Sequence, residues 1–299
     1  MPELDFPRAW REYLAAARRL PPLPPPVAPR RVAGAQEIAS AFDLVVLDAW
    51  GVLNLGDTPI PSARPAVDAL RRAGKRIAVL SNDGSCDKPM AVAKHRRRGF
   101  DFAAEEIIAG VDLLPDALAA LPPVERLGLI ADDPLPFPAL TRRMVRLEDA
   151  ATAYDDVVGF VFLSCDTWTE ARQEMLRASL ARRPRPLVVG NPDIVSPGPA
   201  GIATEPGYYA HRLARELGIN PHFLGKPYPS IYERLAATFP DVPPARVLCV
   251  GDTPQTDILG ARAAGYRAML VIDGFCRGRD ALALCRESGI WPDYIAPRL

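Results

Sequence analysis

Short runs of Val, Ile and Leu that alternate with amphipathic stretches predict an α/β fold built on a doubly wound parallel sheet. Two further features support it. The runs are apolar without alternation, as strands covered on both faces should be. Three of them also end on a polar residue, and in an open α/β sheet ligands sit beyond the carboxyl ends of the strands. Leu44 to Leu47 is the first strand, followed by Asp48. A helix fits Ala63 to Ala73 and is closed by Gly74. Ile77 to Ser81 is the second strand, with Asn82 after it and a helical stretch through Lys94 that ends near Gly99. Arg246 to Asp252 is the third and Ala268 to Ile272 the fourth. In between, Leu127 to Ala131, Val157 to Leu163 and Leu187 to Val189 read as strands of a separate unit, with a helix near Thr169 to Ala181.

Length and composition narrow the function classes. A chain of 299 residues suits two domains at ~150 residues each. Its 36 Lys and Arg balance 36 Asp and Glu, which excludes binding to nucleic acid through a general basic field and gives no reason to expect a membrane surface as partner. No stretch approaches the ~18 consecutive apolar residues of a membrane span, and the first twenty residues hold no secretory apolar core. Five cysteines without a C-x-x-C pair suit reduced thiols in a cytoplasm. Residues 1–40 read as an arm. Trp10, Tyr13, Leu14 and Ala17 make a helical stripe, and Pro21 to Pro26 stops the helix and continues as a stiff linker or a P-x-x-P ligand.

The polar strand ends carry the chemistry. If their strands are neighbours, Asp48, Ser81, Asn82 and Asp252 meet at one point, together with Lys226, which stands in Gly225-Lys226-Pro227 just before a helical stretch from Ser230. Two carboxylates there suit Mg²⁺, a hard cation that prefers oxygen. A hydroxyl, backbone N–H groups and a lysine suit phosphate oxygens. The combination points to metal-assisted phosphoryl transfer with an aspartate nucleophile.

Asp48-Ala49-Trp50-Gly51-Val52, Ser81-Asn82, Gly225-Lys226-Pro227 and Gly251-Asp252-Thr253-Pro254-Gln255-Thr256-Asp257 resemble, in order and spacing, the four motifs of the haloacid-dehalogenase-like (HAD) superfamily. Gly51-Val52-Leu53 with Gly56 and Ile60-Pro61, and Asn191-Pro192-Asp193, resemble its class IIA, the group of NagD-type and pyridoxal phosphatases. The 33 residues from Asp48 to Ser81 leave no room for an inserted domain, whereas the 145 from Ser81 to Lys226 exceed what one crossover needs. The expected organisation is therefore a HAD-like core of residues 41–121 plus 222–299, with a C2-type α/β cap at 122–221.

The resemblance implies a role for each position. Asp48 is the nucleophile and a metal ligand, the Trp50 carbonyl and Asp252 complete the protein's share of the Mg²⁺ shell, and Ser81 with the Asn82 backbone holds the phosphoryl group. Lys226 neutralises charge, Asp257 orients the site, and Asn191 and Asp193 face the substrate from the cap. The implied activity is hydrolysis of small phosphate monoesters (sugar, nucleotide or cofactor phosphates) through an aspartyl-phosphate, with cap-mediated homodimers as in the family.

One position departs. Phosphatases of this superfamily carry a second aspartate two residues after the nucleophile, and here that position is Trp50. Indole donates only through Nε1–H and cannot shuttle a proton near neutral pH. Asp83 and Asp193 are the carboxylates that could substitute, and a member that only binds a phosphorylated ligand or partner is the alternative. The dehalogenase branch also has an aromatic at that position, but its cap lies between the first two motifs. Asp257 either orients the metal shell or caps a helix beginning near Ile258. His95, His211 and His222 show no metal spacing and are expected at the surface. Cys249 is expected to be inert in a buried strand, and Cys86 to be exposed.

Overall fold

The structure, a computed structural model, describes residues 4–120, 126–198 and 201–299. The expected core–cap boundary at 121/122 lies outside the described residues. Seven parallel strands form the core sheet in the order Arg30–Arg31, Tyr294–Ala296, Arg267–Val271, Val247–Gly251, Leu44–Leu47, Arg76–Ser81, Ile107–Ala109. From Leu44–Leu47 the chain runs outward to one edge through Arg76–Ser81 and Ile107–Ala109. It returns after the cap at Val247–Gly251 and runs to the other edge. The direction of winding thus reverses between Leu44–Leu47 and Val247–Gly251, which makes this pair the switch point where such sheets bind ligands. All four residues of Leu44–Leu47 are buried, as a strand covered by helices on both faces requires.

The cap has its own parallel sheet, in the order His222–Phe223, Leu187–Val189, Gly159–Phe162, Leu127–Ile130, Val145–Arg146. Helices Glu170–Arg182 and Pro206–Leu217 pack on it. The strand His222–Phe223, expected on the core side, pairs in register with Leu187–Val189 and so extends the cap sheet past residue 221. Two residues are too short to show an alternating pattern, which is why the sequence conceals them. Cap and core share one apolar cluster in which Leu129, Val161 and Leu163 join Leu113, Ile231 and Tyr232.

The N-terminal arm is part of the body. Helix Phe6–Ala16, capped by the Asp5 carboxylate on the N–H of Arg8, buries Ala9, Trp10, Tyr13 and Ala16. Trp10 and Tyr13 are buried as the sequence pattern expects, but Ala9 and Ala16 complete the stripe, with Leu14 half-buried and Ala17 exposed. The helix bridges the two domains. Trp10 Nε1–H donates to Glu287 of the core at 2.9 Å, while Arg19 donates to the Ala214 carbonyl of the cap at 2.9 Å and Glu12 pairs with Arg215 of the cap at 3.1 Å. The proline run that follows is tied down by Arg262, which donates to the Pro25 carbonyl at 3.0 Å. Arg30–Arg31 then closes one edge of the core sheet.

Two of the three histidines are not at the surface. His95 lies edge-on to Phe102 at 5.4 Å, and His211 stacks on Phe223 at 4.5 Å. Burial holds both imidazoles neutral, lowered to about 4 and about 3 respectively. Their helices turn these positions inward, and imidazole is apolar enough to fill them when neutral. Cys86 is buried as well, its thiol pushed up to about 12 by that burial, so it lacks thiolate character.

Candidate active site

In-register pairing sets Leu47 opposite Val250 on one side and Val79 on the other, so Asp48, Ser81 and Asp252 leave the sheet within two residues of that level. Asp48 follows its strand directly, held by its N–H on the Val250 carbonyl at 2.9 Å. The chain then turns at Gly51, where φ is +81° and a Cβ would fall 1.7 Å from Asp252 Oδ2. Only glycine meets both conditions, and Trp50, just before the turn, lines the cavity beside Asp48. A short hairpin, Asn54–Leu55 with Thr58–Pro59, completes the loop.

Lys226 is the hub of the charges. Its ammonium, 3% exposed, donates to Asp48 Oδ1 at 2.6 Å and to Asp257 Oδ1 at 2.7 Å. Burial opposes its charge, yet Asp257 and Asp48 outweigh that and keep it firmly protonated. Asp257 spends its second oxygen on the backbone N–H groups of Asp252 and Thr253, at 3.1 and 3.0 Å. Its carboxylate therefore reaches back to the strand end and does not cap the helix after it, which begins at Leu259 behind one widened turn, Pro254–Ile258. Asp252 accepts from the N–H of Phe275 at 2.7 Å and from the Thr253 hydroxyl at 2.9 Å. Burial pushes both Asp48 and Asp252 up, with Asp257 adding repulsion to each. Carboxylate oxygens of Asp48, Asp252 and Asp257 lie within 4.8 Å of one another, and so concentrated an acidic group is stabilised by a hard cation. Both oxygens of Asp252 and of Asp257 accept from protein donors, but Asp252 takes only neutral donors whereas Asp257 is tied to the Lys226 ammonium, so the donor set that suits Mg²⁺ best is Asp48 and Asp252.

Asn82 ties the site to the cap. Its amide oxygen accepts the Lys226 N–H at 2.7 Å, and its amide nitrogen donates to the Lys226 carbonyl and to Asp193 Oδ1, both at 2.9 Å. Ser81, buried beside it, accepts the N–H of Asp83 at 3.1 Å. Gly84 fits the same seam, since a Cβ there would lie 2.3 Å from the Leu163 carbonyl of the cap. Above these residues is a cavity of about 250 Å³, floored by Asp48, Trp50, Ser81 and Asn82 and roofed by cap residues that include Asn191 and Asp193. Asn191 donates to Glu205 at 2.9 Å and accepts the N–H of Asp193 at 3.0 Å, so Asn191-Pro192-Asp193 is a turn that also shapes the roof.

The two carboxylates considered as substitute acids differ sharply. Burial works against the charge of Asp83, but Lys94 at 2.5 Å and Ser85 overcome it and hold that carboxyl far below the usual range. It carries no proton to give at neutral pH, so Asp83 drops out as the acid. Asp193 is pushed up to about 6 by burial, which Lys226 and Asn82 only partly oppose. Trp50 has its ring between Lys94 and Arg98, at 5.9 and 5.8 Å from the centroid, and so packs as a platform for cations. Sequence reasoning missed Lys94, Asp166 and Glu205 at the cavity, because none of the three belongs to a motif or ends a predicted strand.

Comparison with known proteins agrees with this geometry. Residues 45–135 match the haloacid dehalogenase-like hydrolase family, and residues 223–299 match the HAD-hydrolase-like family. Glycerol-3-phosphate phosphatase of Gallus gallus is 28% identical over 291 residues, covering 89% of this chain and 93% of its own length. A "possible sugar phosphatase" of the HAD superfamily from Cytophaga hutchinsonii superposes with a TM-score of 0.78 at 20% identity, covering 91% of this chain and 98% of the other. Glycerol phosphate phosphatase from Mycobacterium tuberculosis, in complex with magnesium, gives a TM-score of 0.66 at 22% identity, over 87% and 75% of the two chains. The cap follows the second motif, which separates this chain from the dehalogenase arrangement. With four motifs gathered at one sheet switch point and an α/β cap between the second and third, the chain belongs to the haloacid-dehalogenase-like superfamily of hydrolases, in its class IIA.

Proposed function

We propose that the protein hydrolyses small phosphate monoesters, with Asp48 as nucleophile and Mg²⁺ as cofactor. One observation carries the reading: Asp48 faces the cavity with one oxygen held by the buried Lys226 ammonium, leaving the other free to attack. Asp48, the Trp50 carbonyl and Asp252 would hold the metal. When bound, it supplies positive charge that offsets repulsion between the anionic nucleophile and an anionic phosphoryl group. Ser81 and the Asn82 backbone orient the phosphoryl oxygens, and Lys226 adds a second fixed charge. A free Asp48 oxygen bonds to phosphorus while the ester P–O bond breaks, and the leaving oxygen takes the proton of Asp193. Water then attacks phosphorus and gives a proton to Asp193, and the bond to Asp48 breaks. Alcohol and inorganic phosphate leave with Asp48 and Asp193 restored.

Asp193 supports this cycle in place of the missing second aspartate, because a carboxyl near 6 exchanges protons readily at neutral pH. A binding-only role draws on Trp50 alone. The test is phosphate release from p-nitrophenyl phosphate and from sugar, polyol and nucleotide monophosphates, with and without Mg²⁺, by wild type and Asp48→Asn. Metal-dependent release that disappears in Asp48→Asn is expected. No release from any ester would refute the reading.

A further inference from the structure

The roof of the cavity has an uneven charge. Asp166 stands exposed at the mouth, and Glu205 lies half-buried deeper in, where it accepts only neutral donors, Ser196 at 2.5 Å and Asn191 at 2.9 Å. Among the described residues neither takes part in an ion pair. The cationic groups nearby are committed elsewhere: Lys94 to Asp83 at 2.5 Å, Arg98 to Asp57 at 2.8 Å, and Lys226 to Asp48 and Asp257. The part of the cavity that must receive the alcohol half of a monoester is therefore rich in acceptors and, among the described residues, holds no uncommitted cation. A dianionic phosphoryl group on the floor adds negative charge. A second anion there would meet Asp166 and no free cation, whereas an ammonium would pair with Asp166 and with Glu205 once that carboxyl gives up its proton. An ammonium also offers three donors and no acceptor, which matches a wall of carboxylate and hydroxyl oxygens. The cavity of about 250 Å³ falls below the ~300 Å³ at which sites for drug-sized ligands begin, so the alcohol is compact.

We propose that the preferred substrate is a compact phosphate monoester whose alcohol carries an ammonium group, held between Asp166 and Glu205. The proposal rests on the phosphatase reading and narrows it. It selects against phosphorylated hydroxy acids and bisphosphates, whose second anion would meet Asp166 and no free cation among the described residues. In the empty site burial pushes Glu205 up to about 8, so the cation takes the place of a proton that the carboxyl otherwise keeps.

Three esters of equal length and different charge test it: 2-aminoethyl phosphate, 2-hydroxyethyl phosphate and phosphoglycolate. Their kcat/KM is measured for wild type with Mg²⁺ beside p-nitrophenyl phosphate, and their Kd for Asp48→Asn by calorimetry. The ammonium ester is expected to have a kcat/KM about tenfold or more above that of the hydroxyl ester and a Kd about tenfold or more below it, as a charge-assisted hydrogen bond implies, with phosphoglycolate weakest. In Asp166→Asn and Glu205→Gln the ratio of ammonium to hydroxyl ester should fall toward one. Asp166 is exposed, so its variant should fold even if the second does not. Equal values for the ammonium and hydroxyl esters, with p-nitrophenyl phosphate still hydrolysed, would overturn the proposal and leave the phosphatase reading standing. Absence of turnover and of binding for all four esters would overturn both.

Discussion

Replacing Asp193 by Asn removes a proton while keeping a shape. The asparagine oxygen can still accept from Asn82, now at 2.9 Å from the carboxylate, so packing should survive. Buried to about 6 against an ordinary 3.8, the carboxyl is protonated in roughly a tenth of molecules at pH 7, over a hundredfold more than an unperturbed aspartate. If it protonates the leaving oxygen, hydrolysis of alkyl phosphates in Asp193→Asn should fall by ~10²–10⁴. p-Nitrophenolate leaves without a proton, so turnover of its ester should fall far less. Steady-state rates for both esters between pH 5 and 9 read this directly, and the ionisation near pH 6 should vanish from the variant's alkyl-ester profile. Stability should move the other way. A native carboxyl with a raised pKa binds more protons than the unfolded chain between about pH 4 and 6, so wild type loses up to about 3 kcal/mol relative to the variant across that window. The difference is absent below it and constant above it, and urea titrations at several pH values would measure it. Equal loss for both esters, or a stability difference that ignores pH, would refute the assignment.

Asp83→Asn should leave the acid limb of the rate profile in place. It should also destabilise the fold by ~3 kcal/mol at neutral pH by stranding Lys94, an effect that fades as pH drops through the carboxylate range; denaturant titration measures it. Gly51→Ala should abolish metal-dependent turnover and weaken Mg²⁺ binding in calorimetry, because the new methyl would strike the Asp252 carboxylate in a left-handed turn. Trp10→Ala should cost ~3–5 kcal/mol and lower Tm, since the ring is 4% exposed and its N–H donates to Glu287 of the core.

The amino-acid sequence by itself determined the architecture of the core and the residues at its centre. Buried parallel strands need unbroken apolar runs, so Leu44–Leu47, Val247–Gly251 and Arg267–Val271 declare themselves, and the polar residue after a strand points to the site. Asp48, Ser81, Asn82 and Asp252 were legible for that reason, Lys226 and Asp257 from the motifs in which they stand, and the cap from the spacing that leaves room for it. Only tertiary structure decided the rest. Arg30–Arg31, Val145–Arg146 and His222–Phe223 are too short for a pattern and become strands by finding an edge to pair with. The arm looked like a tether because its proline run hides the contacts that Trp10 and Arg19 make with two different domains. Which carboxylate keeps a proton also depends on distant partners: Lys94 reaches Asp83 from the next helix, while Asp193 is buried without a cation of its own. Residue type sets what a group can do, but its surroundings set its charge, and those surroundings are assembled from positions far apart in the chain, 144 residues for Asn82 and Lys226 and 178 for Asp48 and Lys226.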